Sequence, residues 1–273
     1  MSPAKKWHFW RPDAIRDLTA VAILICYGLL AWSAEGGIGA RQGTLDPVLA
    51  AARARGALNV AVDVGFRPFA DSEGGELVGY DIDLARAVAE RIGLGVVFVP
   101  TGYDGLYDTL TSGRADMIAA ALPYAPEQGY RARFSSFYFD AGQVLVTPVG
   151  APGGAELAGR RVGVALGSDA DALARRMVRD GGDFELRSSY DEPAEALADL
   201  RAGRLDAVIT DHVSALSAVQ GAPGLQISAA LTSEPLALAL PRQAFQLEAE
   251  VNRALEQLRR EGFFEVLNER WMR

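Results

Sequence analysis

Apolar and polar positions along this chain fall into two similar series. The apolar run Leu58-Asn59-Val60-Ala61-Val62 predicts a strand, the apolar spacing over Ile82–Ile92 a helix and Gly95–Val99 a second strand. Asp104–Thr111 then predicts a helix and Asp116–Ala120 a strand. The series restarts at Arg161, with strands over Arg161–Ala165, Phe184–Arg187 and Asp206–Thr210 and helices over Asp169–Val178 and Pro193–Ala202. Such alternation predicts mostly parallel sheets covered by helices, an α/β fold. The segments Thr111-Ser112-Gly113-Arg114-Ala115-Asp116 and Arg201-Ala202-Gly203-Arg204-Leu205-Asp206 align with glycine, arginine and aspartate in register. In each, glycine ends a helix in the left-handed conformation before a buried strand, so the two series read as two related lobes.

Between them, Gly142–Pro148 reads as a strand leading out of the first lobe, and Leu236–Leu240 as the way back. Two helices, over Phe245–Arg259 and Phe263–Trp271, close the chain. The expected domains are therefore residues 57–147 with 235–273 as a discontinuous lobe one and residues 148–234 as lobe two. Residues 35–56 form a linker and a first helix, with Asp46 near its cap and Pro47 in its first turn. Two crossings between lobes make a hinge, and ligands favour the crevice at the carboxyl ends of strands.

The first 34 residues differ. Lys5, Lys6, Arg11 and Arg16 precede an uncharged stretch from Leu18 to Trp32, followed by the small residues Ser33 and Ala34. A positive end, a short apolar core and small residues make a secretory signal. A spanning helix needs ~20 apolar residues, which Ala31–Ala34 would supply if the segment were kept as a membrane anchor. Either way the remainder is exported, periplasmic or extracytoplasmic. Cys26, the single cysteine, lies in this stretch after Ile25, where a lipoprotein signal requires a small residue.

Formal net charge is −8, and no lysine- or arginine-rich run occurs, so nucleic acid is not an expected partner. The two histidines, His8 and His212, are too few for a histidine-based metal site or a catalytic triad. No cofactor is expected.

The segments GELVGYDIDLARAVAERIG (75–93), YDGLYDTLTSGRADMI (103–118), FYFDAGQVLV (137–146), LAGRRVGVALGS (157–168) and LEQLRREGFFEVLNERW (255–271) occur in order. Together they resemble the bacterial extracellular solute-binding proteins, family 3. The resemblance implies a two-lobed, type II periplasmic-binding-protein fold. It implies a monomeric receptor for a small polar solute, usually an amino acid, that delivers its ligand to the membrane permease of an ABC transporter. By the same resemblance, Asp63 and Phe66 match the ligand-contacting acid and aromatic, and Tyr103 the second aromatic of the sandwich. Asp211 matches the acid that holds the α-ammonium, and Gly167-Ser168 the helix start that receives the carboxylate. A carboxylate suits an ammonium group, an aromatic face suits a cation and a helix N-terminus suits an anion. Each has a plainer alternative: loop acid, core aromatic, surface tyrosine or N-cap.

This chain departs from the family pattern after Ala120. Ala121 and Pro123 stand where hydroxyl donors are expected, Gln128 stands in place of the carboxylate-gripping arginine, and Asp169 replaces the hydroxyl residue after Ser168. Glutamine offers only a neutral amide, and Asp169 would repel an anion. Arg131 and Arg67 are the candidates to compensate. The site is therefore expected to favour a cationic, amine-bearing ligand, or else to have drifted away from amino acid binding. A membrane-tethered sensor and an enzyme related to the family's dehydratases are the alternatives to a transport receptor.

Overall fold

The computed structural model describes residues 46–221 and 223–272, so the signal or anchor expected within residues 1–34 lies outside the described residues. In chain order the elements begin with α1 (Pro47–Arg55), β1 (Ala57–Val62), the hairpin β2 (Asp71–Glu73) and β3 (Glu76–Val78), α2 (Tyr80–Ile92), β4 (Gly95–Pro100), α3 (Leu106–Thr111), β5 (Met117–Ile118), β6 (Ala132–Phe134) and β7 (Phe139–Asp140). They continue with β8 (Gln143–Pro148), β9 (Arg161–Ala165), α4 (Asp169–Arg179), β10 (Glu185–Tyr190), α5 (Pro193–Arg201), β11 (Ala207–Asp211), α6 (His212–Gly221), β12 (Leu225–Ala230), β13 (Pro235–Leu236), β14 (Ala239–Pro241), α7 (Phe245–Arg260) and α8 (Phe263–Trp271).

Two five-stranded sheets, each flanked by helices, form the two lobes. Their strand orders, β4-β1-β5-β14-β6 and β10-β9-β11-β8-β12, correspond position by position. In each, the first three strands are parallel, the fourth runs antiparallel to both of its neighbours, and the fifth therefore runs parallel to the first three. Residue alternation explains how each sheet is covered on both faces. On β1, Leu58, Val60 and Val62 join the core under α2 and α7, while Ala61 turns to the opposite face with Leu106 and Leu110 of α3. On β11, Val208 packs with Leu197 and Leu200 of α5, while Ala207 and Ile209 turn to Ala170 and Ala174 of α4.

The repeated Gly-Arg-Asp turns are equivalent in detail. Gly113 and Gly203 are both left-handed, at φ 74° and 71°. The Asp116 carboxylate accepts from the Asn59 N–H at 2.8 Å, and the Asp206 carboxylate accepts from the Arg161 N–H at 2.9 Å. Each aspartate thus ties its strand to the neighbouring one through backbone and side chain together, and each is ion-paired to an arginine, Arg55 or Arg161.

One boundary differs from expectation. Residues 143–147 were assigned to lobe one, but β8 hydrogen-bonds between β11 and β12 in the second sheet. The strand after the crossing completes lobe two, and β14, after the return crossing, completes lobe one in the same antiparallel position. Each lobe's fourth strand is therefore delivered through the hinge.

The crossings, Asp140–Gly142 and Thr232–Glu234, are held together by one side chain. The Asp140 carboxylate accepts from Gly142 N–H (2.9 Å), Ser233 Oγ (2.7 Å) and Glu234 N–H (2.8 Å). Burial opposes its ionisation, yet these donors hold the carboxyl below its ordinary range. Gly142 has no Cβ because one there would lie 2.4 Å from the Thr232 carbonyl oxygen. His212, the first residue of α6, also packs on the hinge: its ring stacks on Phe139 and its Nδ1 lies 2.7 Å from the Asp140 carbonyl.

Candidate functional site

Parallel strands place their carboxyl ends on one edge. In lobe one that edge carries Asp63 after β1, Tyr103 after β4 and Ala119–Pro123 after β5; in lobe two it carries Gly167–Asp169 after β9 and Asp211 at the end of β11.

The lobe-two half is a cavity of about 150 Å³ lined by Gln143, Ser168, Asp169, Pro193, Thr210 and Asp211. It brings three expected residues together and adds Gln143 and Thr210. Asp211 also caps α6 through Ser214 N–H at 2.8 Å, so its capping and cavity positions coexist. The start of α4 is already occupied by protein. Ser168 Oγ accepts from Asp171 N–H at 3.2 Å, and the Asp171 carboxylate accepts from Gly167 N–H at 3.1 Å. Asp171, with Asp169 beside it, makes this terminus acidic, and the Gly167 donor expected to receive a carboxylate is engaged.

The lobe-one half is more open. Phe66 and Tyr103 are 52% and 51% exposed, so part of each ring is open to a ligand. Phe66 stacks on Phe69 at 5.9 Å within a tight loop, where Phe66 N–H donates to the Ala70 carbonyl. The Tyr103 hydroxyl is pushed up by partial burial and then by the charges of Glu234, Asp63 and Asp104. Glu234, from the return crossing, is an acid that the linear pattern did not single out. Ala121 adopts a left-handed φ of 44°, unusual for a residue with a Cβ. Its N–H donates to the buried Asp81 carboxylate at 2.5 Å. Pro123 bridges to Leu236 of the return crossing.

Gln128 is half-buried, and its Oε1 is buried without a hydrogen-bond partner. Neither candidate arginine replaces the missing guanidinium. Arg131 is bound to Asp108 and lies over the Tyr107 ring, and Arg67 is bound to Asp71 and Glu73. A larger cavity of about 610 Å³ opens beside the site, between Arg67 and Gly79 of lobe one and Pro193 and Val213 of lobe two. Of the site residues singled out from the sequence it contains only Arg67, whereas Ser168, Asp169 and Asp211 line the smaller cavity, to which Pro193 joins it. Among the described residues there is no acidic or histidine cluster fit for a metal, and no helix long and apolar enough to cross a membrane.

Residues 58–273 match the bacterial extracellular solute-binding proteins, family 3. The chain belongs to that family. This solute-binding protein is 27% identical to the L-cystine-binding protein TcyJ of Escherichia coli (strain K12), over 89% of this chain and 93% of that one. It is similar to the solved structure of an ancestral cationic amino acid solute-binding protein, with 29% identity, a TM-score of 0.60 and coverage of 82% and 99%. It is also similar to an ancestral cyclohexadienyl dehydratase, with 27% identity, a TM-score of 0.69 and coverage of 82% and 96%. The fold is thus the two-lobed periplasmic-binding-protein fold, and it hosts both binding proteins and an enzyme.

Proposed function

We propose that this solute-binding protein is the monomeric receptor of an ABC-type uptake system, closing around a small organic cation that it does not hold by a carboxylate. The observation that carries this is that, among the described residues, neither arginine expected to compensate for Gln128 is free on the lobe-one wall. Gln128 is neutral, and Arg131 and Arg67 are consumed by neighbouring acids. Acids predominate at the remaining positions: Asp63 and Glu234 near Tyr103, and Asp169 and Asp211 in lobe two. Two half-exposed aromatic rings add faces for a cation, each contact worth ~0.5–2 kcal/mol depending on desolvation. The names of similar proteins point to cystine and cationic amino acids; this chain keeps acids suited to an ammonium group and lacks the arginine suited to a carboxylate. The partner is the permease of that system.

A receptor is supported over an enzyme by the position of the acid closest to neutrality. Asp81, pushed up to about 7 by burial, is sealed behind the wall rather than presented to the cleft, whereas a general acid or base must reach its substrate.

Titration calorimetry against L-arginine, L-lysine, L-cystine, agmatine and cadaverine tests the ligand class. Agmatine and cadaverine are expected to bind more tightly than the amino acids they correspond to. A charge-assisted hydrogen bond is worth roughly 1.5–3 kcal/mol, so Gln128→Arg is expected to raise affinity for arginine and lysine by about one to two decades. Submicromolar binding of any of the three amino acids by the wild type would overturn the cationic assignment. Failure of Gln128→Arg to gain affinity would instead favour a pocket that has lost amino acid binding at several points.

A further inference from the structure

Asp81 opens the second position of α2 with a relative exposure of 0%, and its side chain leaves the helix to reach the site wall. Its Oδ2 accepts from Ala121 N–H, while Oδ1 has no hydrogen-bond partner. Its own N–H donates to the Phe69 carbonyl at 2.9 Å, in the loop whose Phe69 ring stacks on Phe66. One residue therefore ties together the loop carrying Phe66 and the turn carrying Ala121, the two parts of the lobe-one wall.

The groups that face this carboxyl are few. They are Ala121 N–H from the wall, the Tyr138 hydroxyl from the segment before β7 and, on its own helix, Tyr80, whose ring stacks on Tyr138 at 6.2 Å. Glu265 of α8 acts on the Tyr80 hydroxyl.

We propose that Asp81 is a positioning residue for the ligand site: its carboxyl sets the lobe-one wall by holding the left-handed turn at Ala121. The proposal rests on the cleft being the ligand site. An ionised carboxylate accepts the Ala121 N–H more strongly than a protonated one, so the wall is set most firmly when Asp81 is charged. Ionising a buried carboxyl also costs folding stability. Burial raises this carboxyl to about 7 in spite of the Ala121 hydrogen bond and the nearby Tyr138 hydroxyl, both of which favour its charged form. A raised acid gives stability that is complete below its unfolded value and is lost as pH rises through its folded one. Between about pH 5 and 8, ligand affinity should therefore rise while thermal stability falls. A purely structural aspartate would make affinity follow stability downward.

The experiment uses the exported chain and agmatine as probe. Nuclear magnetic resonance follows the Ala121 amide without ligand, and calorimetry follows agmatine affinity across the same pH range. In the wild type the amide should titrate, and affinity should rise roughly threefold to tenfold. Asp81→Asn should abolish the amide titration and flatten that part of the affinity profile. Tyr138→Phe removes a nearby hydroxyl that favours the charged form, so it should move the amide midpoint upward. That variant keeps the test available if Asp81→Asn fails to fold. A wild-type Ala121 amide that does not titrate overturns the proposal, as does an Asp81→Asn protein that keeps the wild-type affinity profile. If agmatine does not bind at any pH, the assigned ligand class is wrong, while the amide titration still decides the role of Asp81.

Discussion

At the scale of single residues, the site separates charge from anchorage. Asp211 serves both, capping α6 and lining the lobe-two cavity. Asparagine caps a helix about as well as aspartate, so Asp211→Asn should leave the melting temperature nearly unchanged. It should weaken agmatine binding by about one to two decades through loss of a charge-assisted bond. Calorimetry and thermal melts on the same sample check the split, and a fall in both would reduce Asp211 to a cap. Asp81 should behave in the opposite way, since its change of protonation belongs to the core. The rise to about 7 bounds its effect on stability at the order of 4 kcal/mol, at ~1.4 kcal/mol per unit. Urea unfolding of Asp81→Asn should accordingly show a shallower loss of stability than the wild type as pH rises toward neutrality.

At the scale of elements, the hinge is a short, tightly fitted crossing. Gly142→Ala would push a methyl group against the Thr232 carbonyl and force the crossings apart. Overpacking of this kind costs about 1–3 kcal/mol. Ligand affinity should fall with it, because the Asp140 hydrogen bonds span the same gap; calorimetry of the variant checks this. Much of this level was legible in the sequence. The alternation of strands and helices and the paired Gly-Arg-Asp turns depend on local spacing, and they appear as expected. The hairpin β2–β3 was not singled out, although Gly74-Gly75 at its tip is a strong local turn signal. The lobe that β8 joins is not legible locally, for a deeper reason. An apolar strand next to a crossing satisfies either sheet, and only its partners decide which one it joins. The site divides in the same way. Ser168, Asp169 and Asp211 were readable as strand-end and helix-start residues, and the structure puts them in one cavity. Glu234, Asp140 and Asp81 act across 20 or more positions of sequence, on groups that no local pattern connects to them.

At the scale of the whole molecule, two lobes joined by two crossings imply closure about a hinge. Small-angle scattering should show a smaller radius of gyration when saturating agmatine is added; an unchanged profile with calorimetrically verified binding would mean that the lobes do not move. The exchange of fourth strands through the hinge has a further consequence, for the order in which the chain can fold as it is made. Lobe two is built from one uninterrupted segment, from β8 to β12, so all its strands have been synthesised well before the chain ends. Lobe one cannot be finished then. Its sheet lacks β14 between β5 and β6, and its core lacks Leu247, Val251 and Leu255 of α7, until the last residues emerge. Contacts of such long range are slow to form. A nascent chain halted before β14 would therefore carry a completed second half and an unfinished first half, with the ribosome's last stretch of product acting as the keystone.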